Sequence, residues 1–255
     1  MCIDFSTMTK AYNEYASAIA RDTIEAERIE EGIRNLADEG EIEPRYHLNA
    51  YSHRKVLGLT QKNNDIAASA YEWGLVPPGN HNEEKAATLR KKGVIAKSET
   101  MFTSIMYRVA ASRNRIILPL DGFFEHHDYS GFKVPYYIYD KQPLLCAAIA
   151  SKWVSKDTGE EHQTMSVVTT DANPLMSVIH NKPAKSETPR MPLLLNREDA
   201  LKWIYLNQSK DELREIIQPY QGDLSYHAVG KIRGKYYQGN IPETRKEKIW
   251  EGYGL

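Results

Sequence analysis

Cysteine is scarce: the 255-residue chain has two, Cys2 and Cys146. Two thiols cannot build a disulfide framework or a four-thiolate zinc site. Long apolar runs are missing as well. No stretch of about eighteen apolar residues occurs, and the N-terminal region lacks the apolar core of a signal sequence. A soluble, cytoplasmic protein without membrane contact is therefore expected, and nothing in the sequence calls for more than a monomer. Neither HExxH nor CxxC is present, and the run Glu125-His126-His127 cannot chelate one ion because strand neighbours point to opposite faces. Neither GxGxxG nor GxxxxGK[ST] is present, so no nucleotide cradle of those kinds exists and no metal or other cofactor is expected. An excess of either charge is lacking too. With 33 Lys and Arg against 34 Asp and Glu, the net charge is −1, and no global field recruits a polyanion. Nucleic acid would need a local patch.

The chain does contain an ordinary globular share of apolar and charged residues, arranged in two textures. Residues 8–38 carry Tyr12, Tyr15, Ile19, Ile29, Ile33 and Leu36 at near-helical spacing, with Gly40 as a stop, which predicts one helical segment. EPRYHLNAY reads as loop or sheet edge. From about residue 54 short apolar runs alternate with turn residues. KVLGL, AYEWGLV, KGVIAKS, RIILPLDGFFEHH, VPYYIYD, PLLCAAIASKW and TMSVVTT read as strands, and YHAVG as a closing one. Further helices are predicted over 102–112, 173–179, 197–206 and 209–218, and residues 231–255 form a basic, irregular tail. Strands follow strands, and no repeat or low-complexity linker divides them. The expectation is one α+β domain over residues 1–255.

Candidate chemistry is thin when read residue by residue. Cys146 lies in PLLCAAIA and reads as a core hydrophobe, whereas Cys2 has no apolar context. Loss of Met1 would give Cys2 a free α-amine beside its thiol. Glu125 ends an apolar run, so desolvation should raise its pKa and suit it to proton transfer; the alternative is a solvated edge residue. His180 follows a short apolar helix, where a lone histidine is more often a capping or surface residue than a catalyst. Basic clusters with interleaved tyrosines and Trp73 offer the elements of a single-strand groove, although such clusters are usually solvated surface.

In order, MC, PRYHLN, WGLVP, AKSET, LPLDGFFE, PYYIY, TMSVVTTDAN, VIH, RMPLLL and SYHAV resemble the SOS-response-associated peptidase (SRAP) family, whose proteins covalently shield abasic sites in single-stranded DNA. The resemblance implies a mixed, largely antiparallel, barrel-like β core with peripheral helices, and nucleoid association when bound to DNA. It implies that the Cys2 amine condenses with the aldehyde of an abasic site and that the thiol closes a thiazolidine. Glu125 and His180 match the family's proton-handling pair; Lys97 keeps the charge of a family arginine, either Lys182 or Arg190 supplies the phosphate contact, and Trp73 walls the DNA groove or equally reads as core. Alternatives are a Cys2-dependent autopeptidase and a binding module that lost its chemistry. Departures are visible: Asp4 where an arginine is usual, Ile95 for an asparagine, Pro78-Gly79-Asn80 for a second aromatic, and NKPAKSETP between IH and RMP. An acid at position 4 should repel phosphate unless it turns away or pairs with a base.

Overall fold

A computed structural model describes residues 3–183, 188–205 and 207–255. The chain opens with strand β1 (Asp4–Thr7), followed by helices α1 (Tyr12–Ile19) and α2 (Thr23–Asp38). The predicted single helix over 8–38 is thus two. Asp22 Oδ1 accepts the Glu25 N–H at 2.8 Å, and the Glu25 carboxylate turns back to the Arg21 N–H at 2.7 Å. These bonds satisfy donors that a new helix start leaves without intrahelical partners, so the break is locally stable. Gly40, at φ 74°, supplies the left-handed residue that ends α2.

Strands β2 (Arg45–Asn49), β3 (Lys55–Lys62), β4 (Asp65–Trp73) and β5 (Asn80–His81) come next, then α3 (Glu83–Lys92), β6 (Ile95–Lys97) and α4 (Arg108–Arg113). The long strands β7 (Arg115–Tyr129), β8 (Phe132–Ser155) and β9 (Glu161–Asp171) form the middle of the sheet. The chain then runs through α5 (Pro174–Ile179), β10 (Arg190–Pro192), β11 (Leu194–Leu195), α6 (Arg197–Ile204), α7 (Lys210–Ile216) and β12 (Ser225–Ala228). PRYHLN forms the edge strand β2, the second of its two readings, VPYYIYD and PLLCAAIASKW are one strand, and the helix expected over 102–112 contracts to α4.

β7 pairs antiparallel with β8 along nearly its whole length, β8 with β9, and β1 lies antiparallel between β2 and β7. β4 and β6 join β9 in parallel. Because β3 pairs with β4 and, at Leu59–Ile117, with β7, the sheet bends partly into a ring. The architecture is mixed α+β as expected, with only partial ring closure. Alternation sorts side chains to two faces. Ile117, Ala147 and Ile149 pack under the helices with Tyr15, Ile33 and Trp203, while Ile116, Leu118, Cys146, Ala148 and Trp73 fill the other face. Burial pushes the Cys146 thiol up, consistent with a packing role.

Arg115 is the largest charged group in this interior, at 1 % exposure. Its guanidinium donates to the carbonyls of Trp203 at 2.6 Å, Tyr205 at 2.7 Å, Ala111 at 3.1 Å and Ser112 at 3.3 Å. These carbonyls belong to the C-terminal ends of α4 and α6, where a cation is electrostatically favoured. Burial lowers its pKa to about 10, so the charge persists at neutral pH. Arg115→Met should lower unfolding free energy by about 3 kcal/mol or more, since it leaves buried carbonyls without donors. A denaturant midpoint unchanged from wild type would refute this.

Candidate active site

The LPLDGFFE segment contains the device that aims Glu125. Asp121, 1 % exposed, accepts from the Tyr15 hydroxyl at 2.5 Å and the Thr9 hydroxyl at 2.6 Å, which ties this point of β7 to the N-terminal segment. The β7–β8 register shifts between Leu120 and Gly122. A Cβ at Gly122 would lie 2.5 Å from the Ile138 carbonyl oxygen, so only glycine fits there. A bulge inverts the in–out alternation beyond it. Leu118 and Leu120 share a face with Phe123 rather than Phe124, which packs instead with Tyr137, Val229 and Ile232. Glu125 therefore points to the same side as Phe123, opposite Tyr136.

Glu125 is 4 % exposed, and its Oε1 accepts the His126 N–H at 3.0 Å. Burial disfavours its charge, yet the field of His180 and the hydrogen bond from the His126 N–H help to hold its carboxyl below the ordinary value. The expectation of a raised pKa is corrected accordingly: the carboxyl is desolvated, but its surroundings favour the anion. His126 itself is pushed down to about 4 by burial, against the pull of Glu125 and Asp4, so it is neutral at physiological pH.

His180 follows α5, whose N-cap Asn173 accepts the Met176 N–H at 2.8 Å. Its ring is 6 % exposed, with Nδ1 3.7 Å from Glu125 Oε2 and 3.1 Å from the Arg190 carbonyl oxygen. The Arg190 N–H lies 3.4 Å from the same Nδ1, so the Arg190 backbone offers this nitrogen both an acceptor and a donor. The loop after His180 is pinned to β7, because Asn181 Oδ1 accepts the Asp128 N–H at 2.8 Å and its amide donates to the Asp128 carbonyl at 3.0 Å. Distant motifs VIH, RMP and DGFFE thus meet at one carboxylate–imidazole pair. Asn181 and Asp128 carry no signal in the sequence, where nothing distinguishes them from other loop residues.

The DNA-facing candidates occupy different places. Trp73 is wholly buried, stacked on Phe5 with ring centroids 4.6 Å apart, and donates from Nε1 to the Val94 carbonyl at 2.9 Å. Its packing is that of a core residue. Arg190 holds His180 through its backbone, while its guanidinium grips Glu99 of AKSET bidentately at 2.6 and 2.8 Å and donates to the Thr169 carbonyl at 2.8 Å. Lys97 is exposed at the end of β6, beside Thr169 in the register. Lys182 is largely exposed and lies 3.3 Å from the Asp128 carboxylate. Cys2 and residues 184–187 of the insertion lie outside the described residues. Among the described residues there is no group of three or more His, Cys, Asp or Glu placed to hold a metal ion, and no helix is long and apolar enough to cross a membrane.

The hydrogen bond from Arg190, opposed by partial burial, lowers the Glu99 pKa from 4.5 to about 2. A carboxylate depressed on folding contributes stability that is complete above its unfolded pKa and lost as pH falls through the folded one. Thermal unfolding curves of wild type and Glu99→Gln should therefore separate above pH 4.5 and merge below about pH 2. The gap should be modest, because Glu99 is half exposed and solvent screens the pair. A gap that persists unchanged into strong acid would contradict the assignment.

Asp4 resolves the sequence's apparent conflict. It is 2 % exposed, and its carboxylate accepts from Asn49 Nδ2 at 2.7 Å, contacts His47 Nε2 at 3.0 Å and is paired with Arg233. Burial opposes its ionisation, but these partners outweigh it and hold its pKa below the usual value. The negative charge at position 4 is therefore internally balanced rather than presented to a ligand.

The chain is similar to known proteins over most of its length. The model of the family described as SOS response associated peptidase (SRAP) matches residues 1–235. The abasic site processing protein YoqW of Bacillus subtilis is 28 % identical over 195 residues, covering 75 % of this chain and 80 % of that protein. The abasic site processing protein HMCES of Xenopus tropicalis is 27 % identical over 235 residues, covering 81 % and 67 % respectively. A solved structure of a Bacteroides thetaiotaomicron protein superposes with a TM-score of 0.79 at 28 % identity, covering 97 % of this chain and all of that one.

Proposed function

The chain belongs to the SOS response associated peptidase (SRAP) family, and from that premise we propose that it processes abasic sites in single-stranded DNA by a covalent cross-link through Cys2. The observation that carries this reading is the buried Glu125–His180 pair at the end of β7, beside the start of β1. Asp4 pairs with Phe124, the residue before Glu125. The strand that follows Cys2 in the chain thus enters the sheet beside this pair.

In the proposed reaction the Cys2 amine, freed by loss of Met1, adds to the C1′ aldehyde of the opened sugar. The carbinolamine loses water to give an imine, and the thiol then adds across the C=N bond while the nitrogen gains a proton. The sum is aldehyde plus aminothiol giving thiazolidine plus one water. Amine and thiol have ordinary pKa values of about 8 and about 8.5, so each needs a base near neutrality. Glu125, held as the anion, accepts that proton and returns it to the departing hydroxyl, with His180 completing the relay. Lys97 and Lys182 supply charge for the DNA backbone at the rim, while the buried Arg190 serves through His180.

The test uses a uracil-containing single-stranded oligonucleotide treated with uracil glycosylase. A Met1-processed sample should give an adduct that survives denaturation, with the mass of protein plus DNA minus one water. Failure of such a sample to give any adduct would overturn the proposal.

A further inference from the structure

The segment after β12 packs on the β7–β8 hairpin, where Trp250 and Tyr253 meet Phe132, and is also bonded to the two N-terminal strands β1 and β2. Asn240 Oδ1 accepts the N–H groups of Tyr46 at 2.7 Å and His47 at 3.2 Å, and its amide donates to the Pro44 carbonyl at 3.2 Å. The Tyr237 hydroxyl lies 2.8 Å from His47 Nδ1, whose other nitrogen meets Asp4. Arg233 pairs with Asp4 directly, and Arg245 reaches Ser6 at 3.3 Å and the Asp121 carboxylate at 3.7 Å. Val229 and Ile232 cover Phe124 on the same side.

Alternation explains why this matters. Asp4 and Ser6 point to the face opposite Ile3 and Phe5, and Phe124 to the face opposite Glu125. The tail therefore backs the outer surface of β1 and β7 at the register Asp4–Phe124, directly behind the carboxylate. β1 has only four residues and would be weakly held by its ladders alone. Asp4 is buried, triply partnered and one residue after Ile3, so it fixes both the height and the rotation of the strand as it enters the sheet.

We propose that residues 233–245 form a strap that positions the N-terminal strand for reaction, with Arg233 and Asn240 as positioning residues acting through Asp4 and His47. The strap lies mostly at or beyond residue 235, where the match to the family model ends. The inference rests on the cross-linking reading for its chemical consequence, but its structural part stands separately. Misplacement of a nucleophile by about 1 Å can cost about a hundredfold in rate, whereas removal of a surface interaction elsewhere leaves the rate at saturation unchanged.

The experiment compares full-length wild type, Asn240→Ala, Arg233→Ala and Arg233→Lys. Three quantities are measured: the adduct rate at saturating abasic oligonucleotide, the affinity for the same strand without the lesion, and amide exchange over residues 3–7 and 45–49. The alanine variants should slow the adduct by about tenfold or more, bind the undamaged strand within about twofold of wild type, and exchange faster in those two segments. Arg233→Lys should recover much of the rate. Thermal unfolding confirms that each variant is folded; if Arg233→Ala is not, Asn240→Ala decides. Unchanged rate, or affinity falling in step with rate, would overturn the strap in favour of a neutral tail or a direct DNA contact. If wild type itself forms no adduct, the cross-linking reading fails alone. Exchange over 3–7 and 45–49 then decides the strap: faster in Asn240→Ala supports it, unchanged refutes it.

Discussion

Cys2→Ala should form no adduct that survives denaturation, while still yielding one when borohydride is present. Alanine at position 2 keeps the free α-amine after Met1 is removed, so the imine with the C1′ aldehyde remains accessible. It lacks the sulfur that closes the five-membered ring, and the imine hydrolyses on denaturation. Borohydride reduces the C=N bond to a secondary amine and preserves the link. The two results together separate the tasks of amine and thiol on one residue. A stable adduct from Cys2→Ala without reductant would assign the chemistry to another nucleophile, and Cys146 is a poor one: it is wholly buried and its thiol is pushed up by that burial.

Glu125→Gln should lower the adduct rate by about 10²- to 10³-fold, within the range for loss of a positioned acid–base group. Glutamine is nearly isosteric and can still accept the His126 N–H, so binding and fold should survive while proton transfer does not. The pH profile adds a sign. Glu125 is held below its ordinary value, so it is ionised throughout the neutral range and loses its function only as pH falls through that lowered value. The wild-type rate should therefore carry an acid limb below the usual carboxylate range, and that limb should vanish in Glu125→Gln. A carboxyl limb near neutrality would restore the raised pKa that burial alone suggests and would contradict the arrangement around His180 and His126.

Much of the fold was legible because its signals are local. The apolar runs of β3, β7, β8 and β9, and the turn residues between them, specify strands without reference to partners. α3, absent from the expected helices, has local signals too: Asn82 precedes Glu83 and Glu84, Arg90, Lys91 and Lys92 end the run, and Gly93 follows. Those are helix-cap and dipole signals, set in a segment whose positive charge also reads as solvated surface. β1 could not be read at all, since its four residues have partners at Leu48 and Asn49 and at Phe123 and Phe124.

The candidate site divides in the same way. The resemblance of its motifs to the SRAP family, rather than residue identity alone, makes Cys2, Glu125 and His180 the chemical candidates. Sequence alone also shows that Asp4 departs from a basic position. Tertiary structure decided the rest. Whether Glu125 is raised or lowered depends on groups that lie 55 positions away at His180. Whether Asp4 repels a phosphate depends on Arg233, at the other end of the chain. Whether Arg190 meets DNA depends on Glu99, which already holds its guanidinium. A charge acts through its neighbours, and neighbours across a sheet are assigned by folding rather than by distance along the chain.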